Sequence, residues 1–194
     1  VIASILFGVC QKKELIIRRG AKPGDIVVVS GRFGNTGSGL KVLFEKIEAP
    51  PQLKRKFLKS VYMPEARMDF GLNLKNLGAT SAIDSSDGLA WSLHELSKAS
   101  NVGFILTRLP VSKETDVFAK INGLDPFDLT FYGGEEYEIV ATLTPKKYGE
   151  KKRSLKEEVL VVGEAVKEKK IVYIENGKER KIEAKGWEHF QSKM

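Results

Sequence analysis

Cysteine is nearly absent from this 194-residue chain, with Cys10 standing alone. That rules out an intrachain disulfide framework and any cysteine-based zinc cluster, and it fits a reducing cytosol. Cys10 itself is read as a small buried apolar residue. Histidine is almost as scarce: His94 and His189 lie far apart and form no metal-ligand spacing, and His94 is expected on a helix surface. No apolar run reaches membrane-spanning length, and the opening residues lack the basic leader of a signal peptide. These absences predict a cytoplasmic protein with no membrane partner. What is present is ordinary for a globular chain, 42% apolar and 29% charged residues, enough for a domain with a sizeable core.

The net charge of +7 invites a nucleic-acid reading, so its distribution matters. Between Lys146 and Lys185 there are 13 Lys or Arg and 8 Asp or Glu. Acids such as Glu150, Glu164 and Glu168 are interleaved with the bases, and few aromatics stand among them to stack on bases. A solvated, ion-paired surface is expected there, with no nucleic-acid partner.

The chain opens on Val1 rather than Met. The apolar stretch over 1–9 reads as a buried strand, so an N-terminal domain is expected to precede it. Strands are predicted over 26–29, 80–83, 102–106, 137–143, 159–162 and 171–174, with Asn176-Gly177 as a hairpin turn into 180–183. Helices are predicted over 40–47, 52–62, 66–77, 112–121 and 145–154, and from Leu89 onward, where Leu89, Leu93 and Leu96 mark one buried face. The fold class is α+β, a mixed and mainly antiparallel sheet with helices packed on one face.

The densest chemistry lies at Ala82-Ile83-Asp84-Ser85-Ser86-Asp87-Gly88-Leu89. Two carboxylates and two hydroxyls crowd the junction where a strand becomes a helix, and free N–H groups and the helix dipole favour anions at such a place. Ser and Asp are also ordinary N-caps, and that reading stays open. Two ionised carboxylates about 6 Å apart repel by roughly 3 kcal/mol at an effective dielectric near 20. One acid caps a helix; a second invites a cation. Magnesium suits such a site, because it takes one or two carboxylates completed by water and substrate phosphate.

Three further segments hold candidates. Ser30-Gly31-Arg32-Phe33-Gly34-Asn35-Thr36-Gly37-Ser38-Gly39 is a glycine-rich connection that either approaches phosphate or is a plain tight link; it lacks the Gly-Lys-Ser/Thr ending of a P-loop. Gly133-Gly134-Glu135-Glu136-Tyr137-Glu138 sets three acids beside two glycines. Strand alternation there separates Glu136 and Glu138 from Glu135 and Tyr137, so one pair alone is expected to reach a site. Arg18 and Arg19 precede a turn, and either guanidinium can clamp phosphate oxygens. Near the end, Trp187 in Gly186-Trp187-Glu188-His189-Phe190 either packs on the core or walls a heteroaromatic ligand.

Taken together and in this order, the Asp84–Leu89, Gly133–Glu138 and Gly186–Phe190 motifs, the Arg18–Asp25 run and the Gly31–Leu40 loop resemble thiamine-monophosphate kinase. The resemblance implies a fold like the C-terminal domain of aminoimidazole ribonucleotide synthetase-like enzymes. It implies transfer of the terminal phosphoryl group of ATP to thiamine monophosphate with Mg2+. It further implies Asp84 and Asp87 as metal ligands, Ser86 as a nucleotide contact, Arg18 on ATP phosphate, Glu135 on the substrate and Trp187 against the thiamine rings. Family members carry an N-terminal domain with further acidic ligands, much of the nucleotide site and much of a homodimer interface. On this basis 1–20 is the end of a preceding domain or a linking strand, 21–194 is the C-terminal ATP- and substrate-binding domain, and the chain alone is inactive or nearly so. Rival readings are another ATP-dependent enzyme of the same superfamily and a basic, noncatalytic nucleic-acid-binding module.

Overall fold

A computed structural model of the protein describes residues 5, 7–151 and 159–186. Its centre is β1 (Ile26–Val29), whose Val27, Val28 and Val29 are fully buried, with both faces covered. With β2 (Ala79–Asp84), β3 (Gly103–Leu106), β4 (Ile139–Leu143), β5 (Leu160–Val166), β6 (Ile171–Glu175) and β7 (Lys178–Lys181) it forms one sheet in the order β2-β4-β1-β5-β3-β6-β7. All pairings are antiparallel except β3 with β6. The sheet is therefore mixed and mainly antiparallel, as the sequence predicts.

Side-chain alternation along the strands sorts the core. Val27 and Val29 join Val140, Val162 and Phe104 on the face covered by α4 (Leu89–Ser100), which presents Leu89, Leu93 and Leu96, and by α6 (Pro126–Phe131), which presents Phe127 and Phe131. Val28 turns to the opposite face with Ala141 and Leu143. There α3 (Met68–Asn73) adds Phe70, and Tyr148 of α7 (Pro145–Lys151) packs alongside, so short helices cover part of the second face as well. A third cluster lies between helices, where α1 (Asn35–Phe44), α2 (Pro51–Tyr62) and α5 (Lys113–Asn122) bury Val42, Phe57 and Phe118.

Several expectations change at their ends, each for a local reason. The helix predicted over 40–47 begins at Asn35, and its glycines serve packing: a Cβ on Gly37 would meet Leu129 O at 3.1 Å and Gly133 Cα at 3.2 Å. The helix predicted over 66–77 is reduced to α3, because Arg67 leaves the helical region to pair with Glu138. The strand predicted over 137–143 starts at Ile139, since Tyr137 is left-handed, with φ of 53°. Among the described residues of 1–9, Ile5, Phe7 and Val9 are exposed and outside any strand, and Cys10 is exposed rather than buried. No described element of the sheet pairs with that segment, so neither prediction of burial is met. The Asn176-Gly177 turn is present, with φ of 51° and 78°, and joins β6 to β7. His94 is half-buried on α4, its Nε2 2.9 Å from Ile182 O. The basic C-terminal region is ion-paired as expected, through Lys170–Glu179, Lys181–Glu183 and Arg180 with Asp125 and Asp128. Among the described residues, no helix is long and apolar enough to cross a membrane.

Helix propensity alone says that Gly39→Ala should stabilise α1 by about 1 kcal/mol. Here a Cβ would sit 2.8 Å from Phe57 O and 2.6 Å from Val61 Cγ2. The expected outcome is a loss of about 1–3 kcal/mol in urea unfolding as α2 is pushed away; a gain would show that the helices separate freely.

Candidate functional site

The site is built where adjacent strands β2 and β4 end. After Asp84, the chain turns through Ser85, Ser86 and Asp87 to Gly88, the N-cap of α4. Gly88 has φ of 106°, and a Cβ there would lie 2.8 Å from Gly133 O, so both backbone angle and close approach require glycine. No side chain caps α4. The ordinary capping reading is thus not realised, and among the described residues neither Asp84 nor Asp87 spends its carboxylate on a hydrogen bond or ion pair. Among the described residues the buried Ser85 hydroxyl has no partner, an arrangement that costs free energy.

The Asp84–Asp87 turn is stitched to the Gly133–Glu138 loop by backbone bonds. Ser85 N donates to Glu138 O at 2.8 Å, Glu135 N to Ser86 O at 2.7 Å, and Tyr137 N to Ser85 O at 3.0 Å. Arg18 approaches from the other side and pairs with Glu95 at 3.4 Å. Together Arg18, Asp84, Ser86 and Asp87, with Trp91, Ser92 and Glu95 of α4, line one small cleft of about 60 Å³. Three carboxylates against one guanidinium leave that cleft with uncompensated negative charge, which favours cations. The residues singled out in sequence as Arg18, Asp84, Ser86 and Asp87 are therefore brought together, whereas Trp187 lies outside the described residues. Gly186, just before it, packs against the cleft: a Cβ there would fall 3.1 Å from Trp91 Cβ and 2.3 Å from Asp87 O.

The acidic loop divides as alternation predicts, although it is not a strand. On one side the Tyr137 hydroxyl donates to Glu135 Oε2 at 2.5 Å. That bond, with burial and the charges of Glu135, Asp84 and Asp87, pushes the Tyr137 phenol up to about 12, so it stays a donor at neutral pH. On the other side Glu138 is buried and receives Arg67 through Nε at 2.8 Å and Nη2 at 2.5 Å, while Ser30 Oγ donates to it at 2.5 Å. Glu136 accepts Gly34 N at 2.6 Å and Thr36 N at 3.2 Å. It caps α1 in place of Gly34, which has no side chain to do so. Two of the N–H groups that this glycine-rich loop could offer to phosphate, those of Gly34 and Thr36, are taken by the chain's own carboxylate, as a tight structural link requires.

Trp91, Glu95 and Arg67 carry no mark as site residues in the sequence, whereas Glu136 and Glu138 stand there as one of the two candidate pairs of the acidic loop. Four-residue spacing from Asp87 along α4 points to Trp91 and Glu95. Arg67 with Glu138 joins positions 71 apart and carries no local signal. Among the described residues, no three His, Cys, Asp or Glu side chains gather into a metal cluster.

A model of the AIR synthase related protein family, C-terminal domain, matches residues 22–175. The chain belongs to that family. This AIR-synthase-related chain is 34% identical over 193 residues to the thiamine-monophosphate kinase of Nitrosopumilus maritimus, covering 96% of this chain and 61% of that protein. It is also 34% identical over 181 residues to the thiamine-monophosphate kinase of Pyrococcus horikoshii, covering 92% of this chain and 54% of the relative. Among solved structures, AaThiL complexed with AMPPCP and TMP superposes with a TM-score of 0.76 at 27% identity, covering 90% of this chain and 54% of that one. The chain thus spans just over half the length of the relatives it matches.

Burial, opposed by the bonds from Gly34 and Thr36, pushes the Glu136 carboxyl up to about 7, with Glu138 adding to the rise. Because the folded value is raised, the contribution of Glu136 to stability is fully present below the usual carboxylate range and is lost as pH rises through about 7. Glu136→Gln keeps an acceptor for both N–H groups and removes the charge. Its urea-unfolding stability should change less between pH 5 and pH 8 than that of the parent chain; an unchanged pH dependence would contradict the assignment.

Proposed function

We propose that this chain is the C-terminal part of an ATP-dependent thiamine-monophosphate kinase, which forms thiamine diphosphate from thiamine monophosphate. The carrying observation is the cleft itself. Asp84 and Asp87, without a hydrogen-bond or ion-pair partner among the described residues, stand beside Ser86 and Arg18 at the start of α4, in a chain 34% identical to proteins of that name.

The donor set fits Mg2+. Hard carboxylate oxygens from Asp84 and Asp87 and the excess negative charge of the cleft suit a small divalent cation that takes few protein ligands and completes its shell with water and phosphate. Asp84 and Asp87 would hold it, and when bound it supplies charge neutralisation on the phosphate oxygens. Phosphoryl transfer asks for positioning and electrostatics more than for a protein nucleophile, and the remaining side chains are suited to that. Arg18 is more than half exposed and its pair with Glu95 is weak, worth about 0–1 kcal/mol, so its guanidinium can exchange that partner for a nucleotide phosphate at little cost. Ser86 offers a hydroxyl to the nucleotide. Glu135, oriented by the Tyr137 phenol, serves the thiamine monophosphate side, and Trp187 is assigned to the thiamine rings.

The same reading makes 1–20 the link from a preceding domain and 21–194 the C-terminal ATP- and substrate-binding domain. The whole enzyme is a cytoplasmic homodimer that binds ATP and thiamine monophosphate, and this chain by itself is inactive or nearly so. Asp87→Asn in the complete enzyme should lower ATP-dependent formation of thiamine diphosphate at least tenfold, about 1.4 kcal/mol in barrier, and alter its magnesium dependence. Turnover and magnesium dependence equal to the parent's would remove Asp87 from the site.

A further inference from the structure

We propose that Glu136 is a positioning residue of the cleft: its carboxylate ties the start of α1 to the loop that holds Glu135 and Tyr137 against the Asp84–Asp87 turn. What that loop does to substrate rests on the kinase reading above, but the tether itself stands on the geometry.

The loop needs a tether because its backbone is strained. Glu135 and Tyr137 have φ of 63° and 53°, left-handed values that cost a non-glycine residue about 1 kcal/mol or more each. Such a conformation persists only when its surroundings over-determine it. Three backbone bonds fasten the loop to the Asp84–Asp87 turn, which lies at the end of edge strand β2. A further fastening is the Glu136 side chain between those two strained residues. Oε1 takes both Gly34 N and Thr36 N, and Oε2 lies 3.4 Å from the donating Thr36 hydroxyl. The anchor at the far end is firm. Thr36, Gly37, Ser38 and Gly39 are buried in α1, and Gly37 rests directly on Gly133, where the loop begins.

Glu138, two residues on, shares the inward direction but has a different task. It is held by Arg67 and Ser30 and sits at the entry to β4, beyond the strained pair. Glu136 lies between Glu135 and Tyr137, so loss of its bonds loosens the backbone on both sides at once.

The test is residue-resolved amide hydrogen exchange on this chain, with Glu136→Ala and Glu136→Gln. Alanine should speed exchange at Glu135 and Tyr137 at least tenfold while leaving Val140 and Ala141 of β4 within threefold of the parent, and glutamine should restore the protection. No acceleration at Glu135 and Tyr137, or an equal rise throughout β4, would overturn the tether. Should the alanine variant fail to fold, the parent chain decides by itself: Gly34, Thr36, Glu135 and Tyr137 should open together, with protection factors within threefold, and a tenfold difference between the two pairs would refute a common fastening. In the complete enzyme, Glu136→Ala should raise the KM for thiamine monophosphate at least tenfold with kcat changed less than threefold, and glutamine should recover it. A loosened loop with an unchanged KM would sever the tether from substrate binding. Absence of any thiamine monophosphate turnover in the parent enzyme would instead defeat the kinase reading and leave the exchange result standing.

Discussion

Three backbone hydrogen bonds between the Asp84–Asp87 turn and the Gly133–Glu138 loop hold the cleft in being. The two segments are far apart in sequence, and each is irregular where it leaves its strand. They meet because β2 and β4 are neighbours in the sheet, with Asp84 paired to Ile139 at the last rung. The sheet therefore does more than bury Val27 to Val29. It sets two loops side by side at one end, and the loops then continue the ladder's hydrogen bonding beyond the point where regular strand geometry stops.

Polar groups in this region follow a strict division. Carboxylates facing inward are spent on the protein, Glu136 on the amides of α1 and Glu138 on Arg67 and Ser30. The cleft-lining carboxylates Asp84 and Asp87 have no hydrogen-bond or ion-pair partner among the described residues, and Glu135 beside them accepts from a phenol. Burying an acid without partners is expensive, so the inward pair is fully served. Exposure makes the outward group tolerable, and their mutual repulsion gives the cleft its preference for positive charge. Residues adjacent in sequence thus perform opposite duties, sorted only by the side of the backbone on which each falls.

Much of this was legible in the sequence because it is local. The leucine spacing of α4, the β-branched run of β1 and the Asn176-Gly177 turn each carry their own signal. The start of α6 carries an equally local signal: Asp125 caps Phe127 N with Pro126 at the first helical position. The gathering of Arg18, Asp84, Ser86 and Asp87 was foreseen through the order of the motifs, with no local rule to place Arg18 beside Glu95. Three kinds of feature were hidden. Arg67 and Glu138 meet only through the tertiary fold, and the glycines of α1 resemble a phosphate loop because the same residue type serves close packing and anion binding alike. Left-handed φ at Glu135 and Tyr137 could not be read either, since neither residue type favours it.

The contact of Gly37 with Gly133 has a consequence for how variation in this protein would be interpreted. One glycine belongs to a buried helix that touches no proposed ligand, the other to the root of the acidic loop, and there is no room between them for a methyl group. A side chain acquired at the helical position would lever the loop outward and spoil the cleft from behind. In a random library, therefore, a residue of the protein's interior would be scored alongside those that line the cleft, and exchange of both glycines at once would be worse than exchange of either.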